Sequence, residues 1–509
     1  MDSGEYRRDY AAYRSALERA RFSHHAGLIP QPDLKPVAER YADLWTQEAI
    51  DDLRRTHTET PEQFETERAA LCALAGAARL KYVDAHASEV CEELKRCADS
   101  ARFDWQGRKL AAGDAPELIA AESDASRRRE LAARWLEEVR RCDDLRAARL
   151  ELLDDAARAL GFDGKFALHE SVARVSLEKL AAAAELFLER TERVYMSRLS
   201  RWAARWTPSS IPGALHYADG LFFRRAAHLD AHFKGRSFRA VYAETLVGLG
   251  IRLETQGNLQ LDDYARPSKN PRPACFAIDP PEDVRLVVGA AQGGAVWQRS
   301  GFHEGARAQA FASASRDTAA RYPEFVHASD DATNEGHAAL FSGLFGDAVW
   351  LGEHRAMRAS EAREAAARLA LVELHDARRA CASLSHALAL ASARGARSEQ
   401  LAETYAARHT EATGFRYEAA THLLDAGEDF AAPIWLRARL FAAGLAEHLR
   451  ARHGRRWYAS RAAGDELRDL WNTASRYSVE ELARLVWGGE LSFEMLAEEL
   501  IAAVNSGDE

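Results

Sequence analysis

A chain of 509 residues is long enough for several hydrophobic cores, and 47% hydrophobic with 29% charged residues reads as globular, neither disordered nor membranous. A formal net charge of −10 argues against nucleic acid, because a duplex-binding surface is normally basic. No 18-residue apolar run occurs, and "MDSGEYRRDYAAYRSALERARF" has no apolar signal region, so no membrane association is expected and the protein reads as cytoplasmic.

In chain order, only Pro61 and Pro116 interrupt residues 37–207, a stretch rich in Ala, Leu, Glu and Arg. Proline-poor text of that kind suits long helices. The arginine-dense "SRRRELAARWLEEVRR" interleaves acids at helical spacing and reads as a solvated helix face. Leu177, Leu180, Ala184, Phe187, Leu188, Thr191 and Tyr195 form one apolar stripe at helical steps. None of Cys72, Cys91, Cys97, Cys142, Cys275 and Cys381 forms a CxxC, and free thiols in a reduced compartment are the default expectation.

Pro267, Pro271, Pro273, Pro280 and Pro281 then crowd together. Around them "ACFAID" and "VRLVVGA", joined by "PPED", predict a β-hairpin over 274–290. A glycine turn, "AQGGAVW", leads into a helix expected over 295–316 that contains "FHEGAR". The zincin motif H-E-x-x-H sets two histidines one turn apart to grip zinc, with the glutamate as general base. Here His303 and Glu304 are present, and Arg307 stands where the second histidine belongs. A second His-Glu pair, His169-Glu170, lacks this strand-turn-helix context.

"SDDATNEGHAALFSGLFGD" predicts a helix over 332–346, capped by Thr333 or Asp331 and bearing Glu335 near its start. His337 follows Glu335 by two residues and leaves the helix in nearly the opposite direction. His354, His375, His386 and His409 lie in helical text without paired spacing and read as core or surface residues. No Gly-rich phosphate loop and no nucleophile elbow appears.

The strand text, "FHEGARAQAFA" and "TNEGHAALFSGLF", in that order, resemble the thimet oligopeptidase and oligoendopeptidase F family of zinc metallopeptidases. The resemblance continues more weakly through "ATGFRYEAATHLL", "IWLRARLFAAGLAEHLRARHGRRWYASRAAG" and "FEMLAEELIAAVN". It implies a mainly α, two-lobed zincin-like fold with a small sheet beside the active-site helix and a deep central channel. The expected division is an N-terminal helical lobe over 1–205 and a catalytic-type domain over 206–509.

Carried over to this chain, the resemblance makes His303 and Glu335 metal ligands and Glu304 the general base. Asp331, one turn before Glu335, is an alternative ligand. The family's late-helix tyrosine is missing from "APIWLRARLF", which offers Trp435 and Arg437; Tyr417 and Tyr458 are the substitutes in view. Arg307, Arg416, Trp435 and Arg437 are the expected ligand-binding residues.

Arginine is a permanent cation and cannot ligate zinc. Arg307 is therefore expected to give two parallel hydrogen bonds to Glu335, relieving its repulsion with Glu304; the competing reading turns Arg307 to solvent beside Glu304. Zinc, the family's cofactor, is expected to be absent or weakly bound. Three functions stay open: a protein that binds a peptide or peptide-like ligand without hydrolysing it, a zinc peptidase with a non-standard ligand set, and a repurposed metal-independent enzyme.

Overall fold

A computed structural model describes residues 2–207, 215–289, 293–328, 330–393, 395–426 and 430–508. The elements that carry the argument are, in chain order, α1 (Ser3–His25), β1 (Arg102–Trp105), β2 (Arg108–Ala111), α2 (Leu177–Trp206), β3 (Leu259–Asp262), β4 (Ala274–Asp279), β5 (Asp283–Val287), α3 (Ala295–Ala312), α4 (Asp331–Gly343), α5 (Ala431–His453), α6 (Arg461–Asn472) and α7 (Val479–Trp487). The architecture is mainly α, as expected, and no helix among the described residues is long and apolar enough to cross a membrane.

Contacts divide the chain into two compact units of three stretches each. The first unites residues 1–82, 228–366 and 437–496; the second unites 83–227, 367–436 and 497–509. The sequence boundary expected near residue 205 falls inside the second unit.

In the first unit the predicted hairpin forms: β4 pairs antiparallel with β5. β3 joins the other side of β5 in parallel, giving the order β3-β5-β4 and leaving β4 at the edge. Phe276 and Ile278 bury one face of β4 against Phe22 and Ala26, at the end of α1. The expected hairpin end at residue 290 and the first part of the glycine turn lie outside the described residues.

Two glycines explain how α3 packs. A Cβ on Gly301 would come within 2.5 Å of the Phe238 ring, and one on Gly305 within 2.7 Å of Tyr242. The Tyr242 hydroxyl donates to the Gly305 carbonyl at 2.8 Å. Both aromatic rings are therefore drawn onto the helix directly beside His303 and Glu304, and the space holds no larger residue.

α4 is capped one residue earlier than predicted. Asp330, neither Asp331 nor Thr333, accepts the Ala332 N–H at 3.1 Å, while the Thr333 hydroxyl donates to the Tyr477 carbonyl. The fully buried Arg437 of α5 holds that cap, 2.5 Å from Asp330 and 2.7 Å from Glu480 of α7.

In the second unit, α2 carries the predicted stripe, with Leu177, Ala184, Phe187, Thr191 and Tyr195 buried. The default expectation for the cysteines is corrected here. Cys97 and Cys142 form a disulfide that closes a loop of sequence separation 45 around the β1–β2 hairpin, whereas Cys72, Cys91, Cys275 and Cys381 are free. Neither cysteine of the bridge lies in a short motif, and only the fold brings them together.

Candidate functional site

The site lies within the first unit. His303, Glu304 and Arg307 project from α3 at i, i+1 and i+4, and Glu335 projects from the first turns of α4. α3 and α4 pack against each other, while Gly336 of α4 faces α5, where a Cβ would come within 2.6 Å of the Phe441 ring.

His303 Nε2 lies 2.9 Å from Glu335 Oε2. A carboxylate only accepts, so Nε2 carries the proton and Nδ1 is left as an acceptor in the neutral ring. Arg307 Nη1 lies 3.4 Å from Glu335 Oε1 and 3.6 Å from Glu304 Oε2. One guanidinium nitrogen thus stands between two carboxylates, and its Nε finds no acceptor among the described residues. The expected fork of two parallel bonds to Glu335 does not form, and neither does the purely solvent-facing arrangement. Glu304 is further engaged by β4: the Cys275 backbone N–H donates to Glu304 Oε2 at 2.9 Å.

Charge in this cluster follows its geometry. Burial alone would raise the Glu335 carboxyl, but the His303 hydrogen bond and the Arg307 charge outweigh it and hold it at about 2. Burial pulls the Arg307 guanidinium down, yet Glu304 and then Glu335 carry it above its ordinary value. Water reaches Asp331, but the surrounding protein raises its carboxyl against the opposing charge of Arg307. Burial also pushes the Cys275 thiol up, which removes it as a ready nucleophile.

These residues do not fit a catalytic zinc. Such a site takes three converging donors and one open position. Here two donors converge and the third place holds a cation. Among the described residues, no group of three His, Cys, Asp or Glu could hold a metal ion, the set His303, Asp331 and Glu335 included.

No protein-family model and no curated protein sequence matches this chain. Solved structures do. A Pyrococcus furiosus carboxypeptidase is 15% identical, with 98% of each chain covered and a TM-score of 0.59. PZ peptidase A is 12% identical over 98% of this chain and 91% of its own, with a TM-score of 0.65. A Bacillus anthracis protein assigned as oligoendopeptidase F is 13% identical over 96% and 84%, with a TM-score of 0.58. The fold is metallopeptidase-like. At these identities the likeness extends to the fold alone.

The remaining sequence-predicted residues are placed as follows. Arg437 is buried and pairs with Asp330 and Glu480, so it positions α4. The Tyr458 hydroxyl donates to Glu353 at 3.2 Å. Arg416, Tyr417 and Trp435 belong to the second unit. There Arg416 bridges to the backbone of His216, and Tyr417 packs its ring 5.0 Å from that of His409. Trp435 is half-buried.

Sequence reasoning missed the Cys275 N–H, a backbone donor without a side-chain signal, and the acidic and basic residues of α1. Burial of Glu18 and its influence on Cys275, together with the influence of Arg14 on Asp331, bring α1 to the rim of the site. Gly301 and Gly305, one turn apart, were the legible sign that rings press on α3.

Proposed function

We propose that this is a non-hydrolysing, peptide-binding protein built on a metallopeptidase-like fold, holding a peptide or peptide-like ligand beside α3 and β4. The observation that carries the reading is Arg307 Nη1 between Glu304 and Glu335. A fixed cation there offsets part of the charge of the two carboxylates and eases their mutual repulsion, and it cannot polarise and deprotonate water as a Lewis acid does. Glu304 Oε2 already accepts the Cys275 N–H and faces Arg307, so that oxygen is poorly placed to take a proton from water. The edge position of β4 supports an extended peptide as the ligand, since an edge strand can offer backbone groups for pairing beyond the Cys275 N–H that Glu304 already holds.

The test is calorimetric titration of the protein with a mixed-sequence peptide pool in the presence of chelator, followed by mass spectrometry of the pool. Binding with every peptide intact supports the reading, and cleavage overturns it. The His303–Glu335 hydrogen bond favours a second reading, metal-free acid–base catalysis through His303 Nδ1. Turnover that persists in chelator and disappears in His303→Ala would establish that reading in place of the first.

A further inference from the structure

Behind α4, on the side away from Glu335, lies His337. The ring is 2% exposed and packed edge-on against Phe441 and Trp471, at 5.5 and 6.3 Å between centroids. Neither of its nitrogens has a hydrogen-bond partner among the described residues, and neither has the Trp471 Nε1. Burial lowers the imidazole to about 4, so near neutral pH it offers one N–H donor and one lone pair. Leaving such groups dry is costly, and nearly all buried polar groups in native proteins are paired with protein or with ordered water.

The same residues line a cavity. His337, Trp471, Asn334 and Ser475 give it polar wall, and Phe311 and Phe325 of neighbouring helices give it apolar wall. Its water-accessible volume of about 10 Å³ is at the lower bound for one water molecule and too small for an organic ligand. Ala474, also in the wall, has φ +51°, a conformation that costs an alanine energy and that the surrounding structure must hold in place.

We propose that this cavity is a hydration site in which one ordered water bridges His337 of α4 and Trp471 of α6. The water accepts the Trp471 N–H and donates to the free His337 lone pair. Size and the pairing of one donor with one acceptor select water over an ion. By joining α4 to α6 on the face opposite Glu335, the water fixes the roll of the helix that presents Glu335 to His303 and Arg307. His337 and Trp471 are thus positioning residues.

Two measurements test this on the full chain. A crystal structure at a resolution that reveals ordered solvent should show density within hydrogen-bond distance of both a His337 nitrogen and Trp471 Nε1; an empty cavity overturns the proposal. His337→Leu separates a wet cavity from a dry one by sign. If the site is wet, the change removes a bridged partner and strands the Trp471 N–H, so the unfolding midpoint falls. If it is dry, the change deletes two unsatisfied nitrogens and the midpoint rises, which also overturns the proposal. Should His337→Leu not fold, the diffraction result decides alone.

Discussion

Arg307 Nη1 lies 3.4 Å from Glu335 Oε1 and almost as near to Glu304, so the position four residues after His303 holds a cation facing two carboxylates. The cation offsets one of the two negative charges and eases the repulsion between them. The Arg307 side chain keeps 28% of its surface, which sets its energetic worth between the limits for exposed and buried pairs.

Arg307→Ala is therefore expected to destabilise the first unit by about 1–3 kcal/mol, between the roughly 0–1 of an exposed pair and 3–5 of a fully buried one. Combined with Glu335→Gln, the loss should be smaller than the sum of the two single changes, because neither charge is then stranded. Chemical denaturation of the four proteins of the cycle measures it; strict additivity would show that the two residues do not interact.

The Arg437 network makes a harsher prediction. Arg437 is fully buried and pairs with both Asp330 and Glu480, so Arg437→Met should cost about 3–5 kcal/mol and loosen the cap of α4. Arg437→Lys should recover only part of this, since an ammonium cannot reproduce the two-nitrogen grip on Glu480. Melting curves check the order wild type, Lys, Met; a silent Met variant would leave Arg437 free for the ligand role first expected of it.

Much of this site was legible in the text of the chain. "FHEGAR" named three of its residues, and "TNEGH" the fourth, because helical spacing converts directly into a shared face. The hairpin was legible from its prolines and β-branched runs. Asp330 displaced Thr333 and Asp331 as the cap because Arg437, more than a hundred residues later, holds it, and sequence-local capping rules cannot see that partner. The Cys275 N–H was invisible for a different reason: backbone donors have no letter. The Cys97–Cys142 bridge and the interleaving of the two units depend on chain return over long separations, which no local pattern encodes.

The disulfide has its own consequence. A cross-link across a separation of 45 residues stabilises by restricting the unfolded chain, by about 4 kcal/mol in the chain-entropy account. Reduction, or Cys97→Ser with Cys142→Ser, should lower the melting transition of the second unit and leave that of the first in place. Calorimetry with and without reductant resolves the two; equal shifts in both, or none, would contradict it.

Acid should unfold the protein from below about pH 6.5. Burial lowers His337, His386 and His409 from 6.5 to about 4, and His327 and His375 to about 3. Each is neutral when folded and takes a proton when unfolded in that interval, so its stabilisation is complete above 6.5 and is lost as pH falls. Each contributes a slope of up to about 1.4 kcal/mol per pH unit. Glu335, lowered from 4.5 to about 2, adds stability above 4.5 that is lost between those values. Denaturant midpoints measured between about pH 7.5 and 4.5 should decline steadily; a flat profile would mean these histidines are not buried as described.

The most direct test of the central claim is the number of zinc ions bound per chain after dialysis against zinc-containing buffer, measured by elemental analysis for the native protein and for Arg307→His. With Arg307 in place the account predicts well under one equivalent, because one of three ligand positions is a cation. Arg307→His recreates H-E-x-x-H beside Glu335 and should approach one equivalent, with stability rising as zinc is added. A native stoichiometry near one that is abolished by His303→Ala would contradict the account, and so would an Arg307→His protein that takes up no zinc.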